Sequence, residues 1–372
     1  VEVEYVFSNF EGGTELGRGN FLFSLTNLLT IQRWNNRPAV LRFSEADNAY
    51  NTFFLSFVFR TMKGENFEPA LRWRLSRELP KIVLSDISLQ LKERIERFSP
   101  HVWSDVTQKA VNELSITADK EFVDLLIDDS PQCEQIDKLA DLYISYLEAY
   151  ENGKLFDYSQ PIKELEEKIK HLSESFAVED VEKYWDVAKH VWIPLLNLTS
   201  MVRWNRTHRN IRSTVSGHSF MVLVISYLIA KLVRYNDIEE IIMRATLHDL
   251  PEAFTGDVIS PTKKKTEELE ELVSAVEREM VTEWVNSSEH TKILAKYVSH
   301  CTDPFSGEGG HIVRTSDYFA ALLECGVEIY SGNRLDIFRD NFFSFKKMIK
   351  EISPMDVSDW IDEVESIAFL YH

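Results

Sequence analysis

The sequence predicts an all-α protein. Apolar residues recur at helical spacing along nearly the whole chain, and no stretch alternates apolar with polar residues over the length of a strand. Glycine and proline, 13 and 11 in 372 residues, are too scarce to punctuate a set of short strands. In the first half, residues 49–62, 135–150 and 162–176 carry the helical period. In the second, residues 220–235 are apolar on most faces, which predicts a buried central helix. Residues 267–285 and 291–301 are amphipathic, and 312–329 carry one apolar stripe.

Composition bounds the function classes. Hydrophobic residues at 44% and aromatics at 12% describe a globular chain, long enough for two domains. A formal charge of −19 argues against a nucleic-acid polymer as partner, because neutralising phosphates needs clustered Lys and Arg. Cys133, Cys301 and Cys325 are odd in number and widely spaced, so neither a disulfide framework nor a zinc ribbon is expected. No basic-then-apolar leader opens the sequence, and the longest mainly apolar run, 220–230, falls short of a bilayer span. The expectation is a cytoplasmic protein with no membrane partner.

The chain repeats itself. "RWNNRPAVLR" from Arg33 to Arg42 aligns without a gap with "RWNRTHRNIR" from Arg203 to Arg212, and each leads into a long apolar helix. With one residue of slippage, Leu79-Pro80 meets Leu250-Pro251 and Asp86 meets Asp257. "KLADLYISYLEAY" from Lys138 then matches "RTSDYFAALLECG" from Arg314, setting Asp141 against Asp317 and Glu148 against Glu324. This predicts two tandem helical bundles, residues 1–177 and 178–372, paired as an intramolecular pseudo-dimer.

The second copy holds His218 at the start of the buried helix, His248-Asp249 thirty residues on, and Asp317 beyond. Pro251 disfavours helical geometry at Leu250, so the His-Asp pair is expected where a helix ends or bends. Two imidazoles and two carboxylates form a mixed N/O donor set suited to a divalent transition ion such as Mn, Co, Fe, Zn or Ni. Such an ion acidifies a bound water and polarises a phosphoryl oxygen.

The order His…His-Asp…Asp on an all-α chain resembles the HD-domain phosphohydrolase superfamily. The flanks "RWNRTHRNIRSTVSGHS", "HDLPEAFTGDVISPTK" and "RTSDYFAALLE" are most similar to its bacterial 5′-deoxyribonucleotidases, over residues 188–332. The resemblance implies a metal-dependent enzyme acting on nucleotides. His218, His248, Asp249 and Asp317 match the metal ligands, and Glu252 matches the acidic residue that handles the proton of the attacking water or leaving group. Arg203, Trp204 and Asp257 match residues that hold the nucleotide: the arginine on phosphate, the tryptophan by stacking, the aspartate on sugar hydroxyls. Lys263 stands where the family has a further lysine. Gly217 departs from the family, which usually carries an acidic residue before the histidine.

Plainer roles exist for each residue. His218 can be a satisfied histidine at a helix start, Asp257 a turn or N-cap residue, and Trp204 a core side chain. Arg203 can cap a helix C-terminus, and Lys263–Lys265 can be a solvated run. The first copy reads as a degenerate domain without metal. Asn48 faces His218, Arg77-Glu78 faces His248-Asp249, Lys81 faces Glu252, and Asp141 alone persists. Cationic side chains there repel a metal ion and replace its charge.

Three readings follow. The leading one is a phosphomonoesterase of (deoxy)nucleoside 5′-monophosphates. The second, hydrolysis of nucleoside triphosphates or signalling nucleotides, calls for more cationic side chains than the motifs supply. The third is a non-catalytic nucleotide sensor, which has no need of Glu252.

Overall fold

A computed structural model describes residues 17–85, 87, 89–117, 120–127, 134–257 and 266–370. Asp86, Cys133 and Lys263 lie outside the described residues. Among the described residues the regular structure is helical, and the extended structure consists of two isolated bridges, Gln32 to Ser44 and Val202 to Thr214.

Two helices form the centre, Glu45–Lys63 and Val215–Leu232, and they pack on each other. Both are buried along almost their full length; Val215–Leu232 is mostly apolar, whereas Glu45–Lys63 also buries Glu45, Asp47, Asn48, Asn51 and Arg60. At about 1.5–3 kcal/mol for each fully buried Val, Leu, Ile or Phe, this contact is a large part of what holds the two halves together. Both begin with a hydroxyl cap. Ser44 accepts the N–H of Asp47, whose carboxylate accepts the N–H of Ser44 in return, and Thr214 accepts the N–H of Gly217. The first helix stops at Gly64, whose φ of 71° supplies the left-handed cap that releases the chain.

Around this centre, Glu45–Lys63 packs on Gln135–Gly153, and Val215–Leu232 packs on Gly307–Tyr330 and Ile238–Leu247. Asp336–Ile352 and Ser358–Ala368 cover the 307–330 helix, and the N-terminal Arg18–Leu25 lies on Ser358–Ala368. Val178–Ser200 touches both central helices, so it connects the halves as well as joining them in sequence. By length and composition Val215–Leu232 could cross a membrane, yet 89% of it is buried inside the protein.

The same local structure recurs in the two halves. Arg33 N–H donates to Phe43 O at 2.8 Å and Glu45 N–H to Ile31 O at 2.9 Å; Arg203 N–H donates to Ser213 O at 3.0 Å and Val215 N–H to Met201 O at 3.1 Å. Trp34 and Trp204 have φ of 58° and 57°, a left-handed conformation that costs a non-glycine residue of order 1–3 kcal/mol. Asn152 accepts the N–H groups of Val40 and Leu41, and Glu328 accepts those of Asn210 and Ile211.

Residues 291–301 depart from the single amphipathic helix that their pattern predicts. They form a 3-10 turn, Lys292–Tyr297, running into the short α-helix Val298–Thr302. The Thr291 hydroxyl lies within hydrogen-bond reach of the carbonyls of Trp284, Val285 and Ser288 and donates its one hydrogen among them, holding the chain in a tight turn where a regular helix would start.

Candidate metal centre

Thr214 starts the central helix of the second half and places His218 one turn in, fully buried. The Ile238–Leu247 helix ends at His248, and a turn through Asp249 and Leu250 leads to Pro251, which opens the short helix Glu252–Thr255. The helix break anticipated from Pro251 thus frees Asp249 from the 100° stagger of a regular helix. His248 Nδ1 lies 2.8 Å from the carbonyl of Ala245. That bond assigns the proton to Nδ1 and leaves the Nε2 lone pair directed at the site.

One donor atom each from His218, His248 and Asp249 falls within 4.8 Å of the others. Asp317 joins through His218, its Oδ1 lying 3.1 Å from Nε2. Two of these buried atoms, His248 Nε2 and Asp249 Oδ2, are 3.2 Å apart and lack a hydrogen-bond partner among the described residues. Buried polar atoms are rarely left so. Two imidazoles with two carboxylates, some of their atoms orphaned, fit a divalent ion.

The charges agree. Burial opposes ionisation of His218, but hydrogen bonds to Asp317 and Glu324 outweigh it and lift its pKa to about 9. Burial likewise opposes Asp249, yet His248, His218 and Arg203 hold its carboxyl well below the usual range. Asp317 is lowered against burial mainly by His218. Asp257 is raised, first by burial and then by the charges of Asp249 and Glu324.

The remaining predicted residues fall around this cluster. Glu252 is the first residue of its short helix, and its charge is felt at Arg203. Asp257, partly buried, follows Gly256 at φ 82° and is also felt at Arg203. Arg203 caps no helix. Its Nε lies 3.2 Å from Glu324, and among the described residues its two Nη groups have no partner. Trp204 donates its indole N–H to Glu324 at 2.7 Å and packs against Phe338 and Phe345.

Two residues escaped the sequence reading. Glu324, fully buried, accepts from Trp204, Arg203 and Ser213, and its Oε1 is 3.3 Å from His218 Nδ1. Arg314 lies 3.4 Å from Asp317 Oδ2, with its guanidinium 3.4 Å over the ring of Phe305. Both were visible in the spacing, because 314, 317 and 324 share one helix face.

The equivalent place in the first half holds cations from the chain itself. Arg74 pairs with Asp141 at 2.6 Å and with Glu78, and Lys81 pairs with Glu45 at 2.6 Å and Glu78 at 2.9 Å. Asn48 donates to Glu148 at 2.8 Å. Lys81 supplies charge where the sequence placed it. The buried cation of this cluster is Arg74, 3% exposed and one helical turn before Arg77; Arg77 is 46% exposed and 3.6 Å from Asp141, farther than Arg74.

Residues 190–366 match the family described as 5′-deoxynucleotidase YfbR-like. The 5′-deoxynucleotidase YfbR of Shigella boydii is 25% identical over 151 residues, covering 39% of this chain and 75% of its own. That of Salmonella arizonae is 28% identical over 152 residues, with the same coverage. Among solved structures, an HD-domain phosphohydrolase from Listeria innocua aligns at 22% identity and a TM-score of 0.39, covering 49% of this chain and 86% of that one. The matched segment, residues 190–366, contains His218, His248, Asp249 and Asp317, and it is similar to the 5′-deoxynucleotidase YfbR-like family.

Proposed function

We propose that the protein is a divalent-metal-dependent phosphohydrolase that removes the 5′-phosphate of (deoxy)nucleoside monophosphates. In this reading residues 178–372 carry the reaction. Residues 1–177 are a metal-free HD-like domain that serves as its pseudo-dimer partner. The observation that carries the proposal is the convergence of His218, His248 and Asp249, with Asp317 on His218, inside a segment that matches the YfbR-like family.

His218, His248, Asp249 and Asp317 would hold the ion, which when bound supplies an acidified water and a Lewis acid for the phosphoryl group. Arg203, anchored through Nε to Glu324, presents its Nη groups to the phosphate, a geometry suited to two parallel charge-assisted bonds. Glu252 moves the proton, taking it from the water and returning it to the departing 5′-oxygen. Asp257, whose carboxyl is raised above its ordinary value first by burial, faces the sugar hydroxyls. Trp204 has its indole N–H bonded to Glu324, so it fixes that carboxylate whether or not its free face meets the nucleotide.

The test is phosphate release by metal-stripped protein resupplied with Mn²⁺ or Co²⁺, over deoxy- and ribonucleoside mono- and triphosphates, beside Asp249→Ala. Orthophosphate from monophosphates, absent in the variant, is the expected result. Pyrophosphate or tripolyphosphate from triphosphates would assign the site to the larger substrates. No release from any of them would refute a hydrolytic role.

A further inference from the structure

A second place in the molecule is built for an anion, and it lies on the seam between the halves. A cavity of about 210 Å³ is lined by Arg42 and Phe43 from the first half and by Leu196, Thr199 and Arg212 from the second. Arg42 and Arg212 are equivalent positions of the internal repeat, so the packing of the two halves brings like side chains to one cleft. Among the described residues neither guanidinium forms an ion pair, and the Arg42 guanidinium makes no hydrogen bond. Arg212 donates only to backbone, to Arg42 O at 3.0 Å and Thr199 O at 3.2 Å. It acts electrostatically on Asp47, but that carboxylate is committed to Ser44 and Thr214.

In a chain of net charge −19, Arg42 and Arg212 line one cavity, and among the described residues neither forms an ion pair. Their mutual repulsion is relieved by an anion between them. The backbone bonds of Arg212 fix its fork in place, and the exposed Arg42 is free to close on a ligand. We propose that this cleft binds a phosphate group, free or carried on a small ester, between Arg42 and Arg212. The site is separate from the metal centre and uses none of its residues. It is one residue from Ser213, which donates to Glu324 behind His218.

Calorimetric titration of the metal-stripped full chain with orthophosphate and with ribose 5-phosphate tests this. The expected result is one phosphate group bound per chain, with affinity weakened about tenfold or more in Arg42→Ala. Arg42 makes no side-chain contact that the fold needs, so that variant stays folded, and Arg212→Lys should weaken binding as well. Tighter binding of the ester, again dependent on Arg42, would identify a phosphorylated metabolite as the occupant; equal binding would identify free phosphate. Absence of binding by the parent overturns the proposal. So does binding that Arg42→Ala leaves unchanged and Arg203→Ala abolishes, since the anion would then sit at the metal centre.

Discussion

Glu324 Oε1 lies 3.3 Å from Nδ1 of His218, which puts a fully buried carboxylate directly behind the imidazole. The same carboxylate holds Arg203 and Trp204, so one side chain sets the orientation of three. Glu324→Gln keeps the shape and removes the charge. A partner of this kind typically accounts for roughly 10–100-fold in metal affinity, and that fall is expected when Mn²⁺ is titrated into the stripped variant. Unchanged affinity with a lower melting temperature would reduce Glu324 to a packing role.

Each chain should bind one metal ion. In the first half the buried carboxylates of Glu78 and Glu45 already have Arg74 and Lys81 as counter-ions, and Asn48 stands where the second half has His218. Elemental analysis of the purified protein should give one ion per chain, and close to none for Asp249→Ala. Two ions per chain would contradict the assignment of the first half.

Arg203→Lys retains the charge but loses the planar fork, so a single nitrogen replaces the Nε that holds Glu324 and the two parallel Nη donors offered to a phosphate. Loss of one such donor from a reacting phosphate usually costs roughly 10²–10³ in rate. The fall should appear in kcat/KM for 5′-monophosphates, with bound metal unchanged. A variant as active as the parent would remove Arg203 from phosphate binding.

The parts of this site that were legible in the sequence are those its motifs carry. His218, His248-Asp249 and Asp317 stood out by their order along an all-α chain and by its resemblance to a known family, and Pro251 marked the helix break that follows Asp249. The 3-10 turn at Lys292–Tyr297 was hidden, because its cause is the hydroxyl of Thr291, whose hydrogen bonding no apolar pattern reports. Arg74 was hidden for another reason. The repeat alignment compares like positions, whereas a long guanidinium reaches the centre from one turn away. Glu324 was aligned with Glu148 yet given no role, since a carboxylate in an apolar helix shows its purpose only once Trp204 and Arg203 are seen to converge on it.

Asp141 links the first half to pH. Burial works against its ionisation, but Arg74 and Arg77 prevail and hold its carboxyl well below the unfolded value of 3.8. A depressed carboxylate contributes stability above its unfolded pKa and loses it as pH falls through the folded one. The contribution is therefore complete at neutral pH and declines below about pH 4. Asp141→Asn should cost about 1.5–3 kcal/mol at pH 7, the usual worth of a charge-assisted hydrogen bond. The gap between variant and parent should narrow steadily as the pH falls below about 4 in urea-unfolding curves. A stability difference independent of pH would rule out the ion pair as its source.

Gly217 stands where the resembling enzymes carry an acidic residue, and the structure supplies a physical reason. A Cβ there would lie 2.8 Å from Leu29 Cδ2 and 3.5 Å from Asp47 Oδ1, both contributed by the first half. Asp47 is buried, accepts the Thr214 hydroxyl, and already brings a carboxyl to the start of the His218 helix. A second buried carboxylate would face it, and the charge of Arg212 that already acts on Asp47 would have to serve two anions. Gly217→Asp should destabilise the protein by roughly 3–5 kcal/mol, the range for an uncompensated buried charge. Asp47→Asn in the same chain removes the repulsion but not the crowding at Leu29, so the double variant should recover part of the loss. Coupling below about 0.5 kcal/mol in that double-mutant cycle would mean that the two positions act independently. The carboxyl of Asp47 would then have no part in keeping residue 217 a glycine.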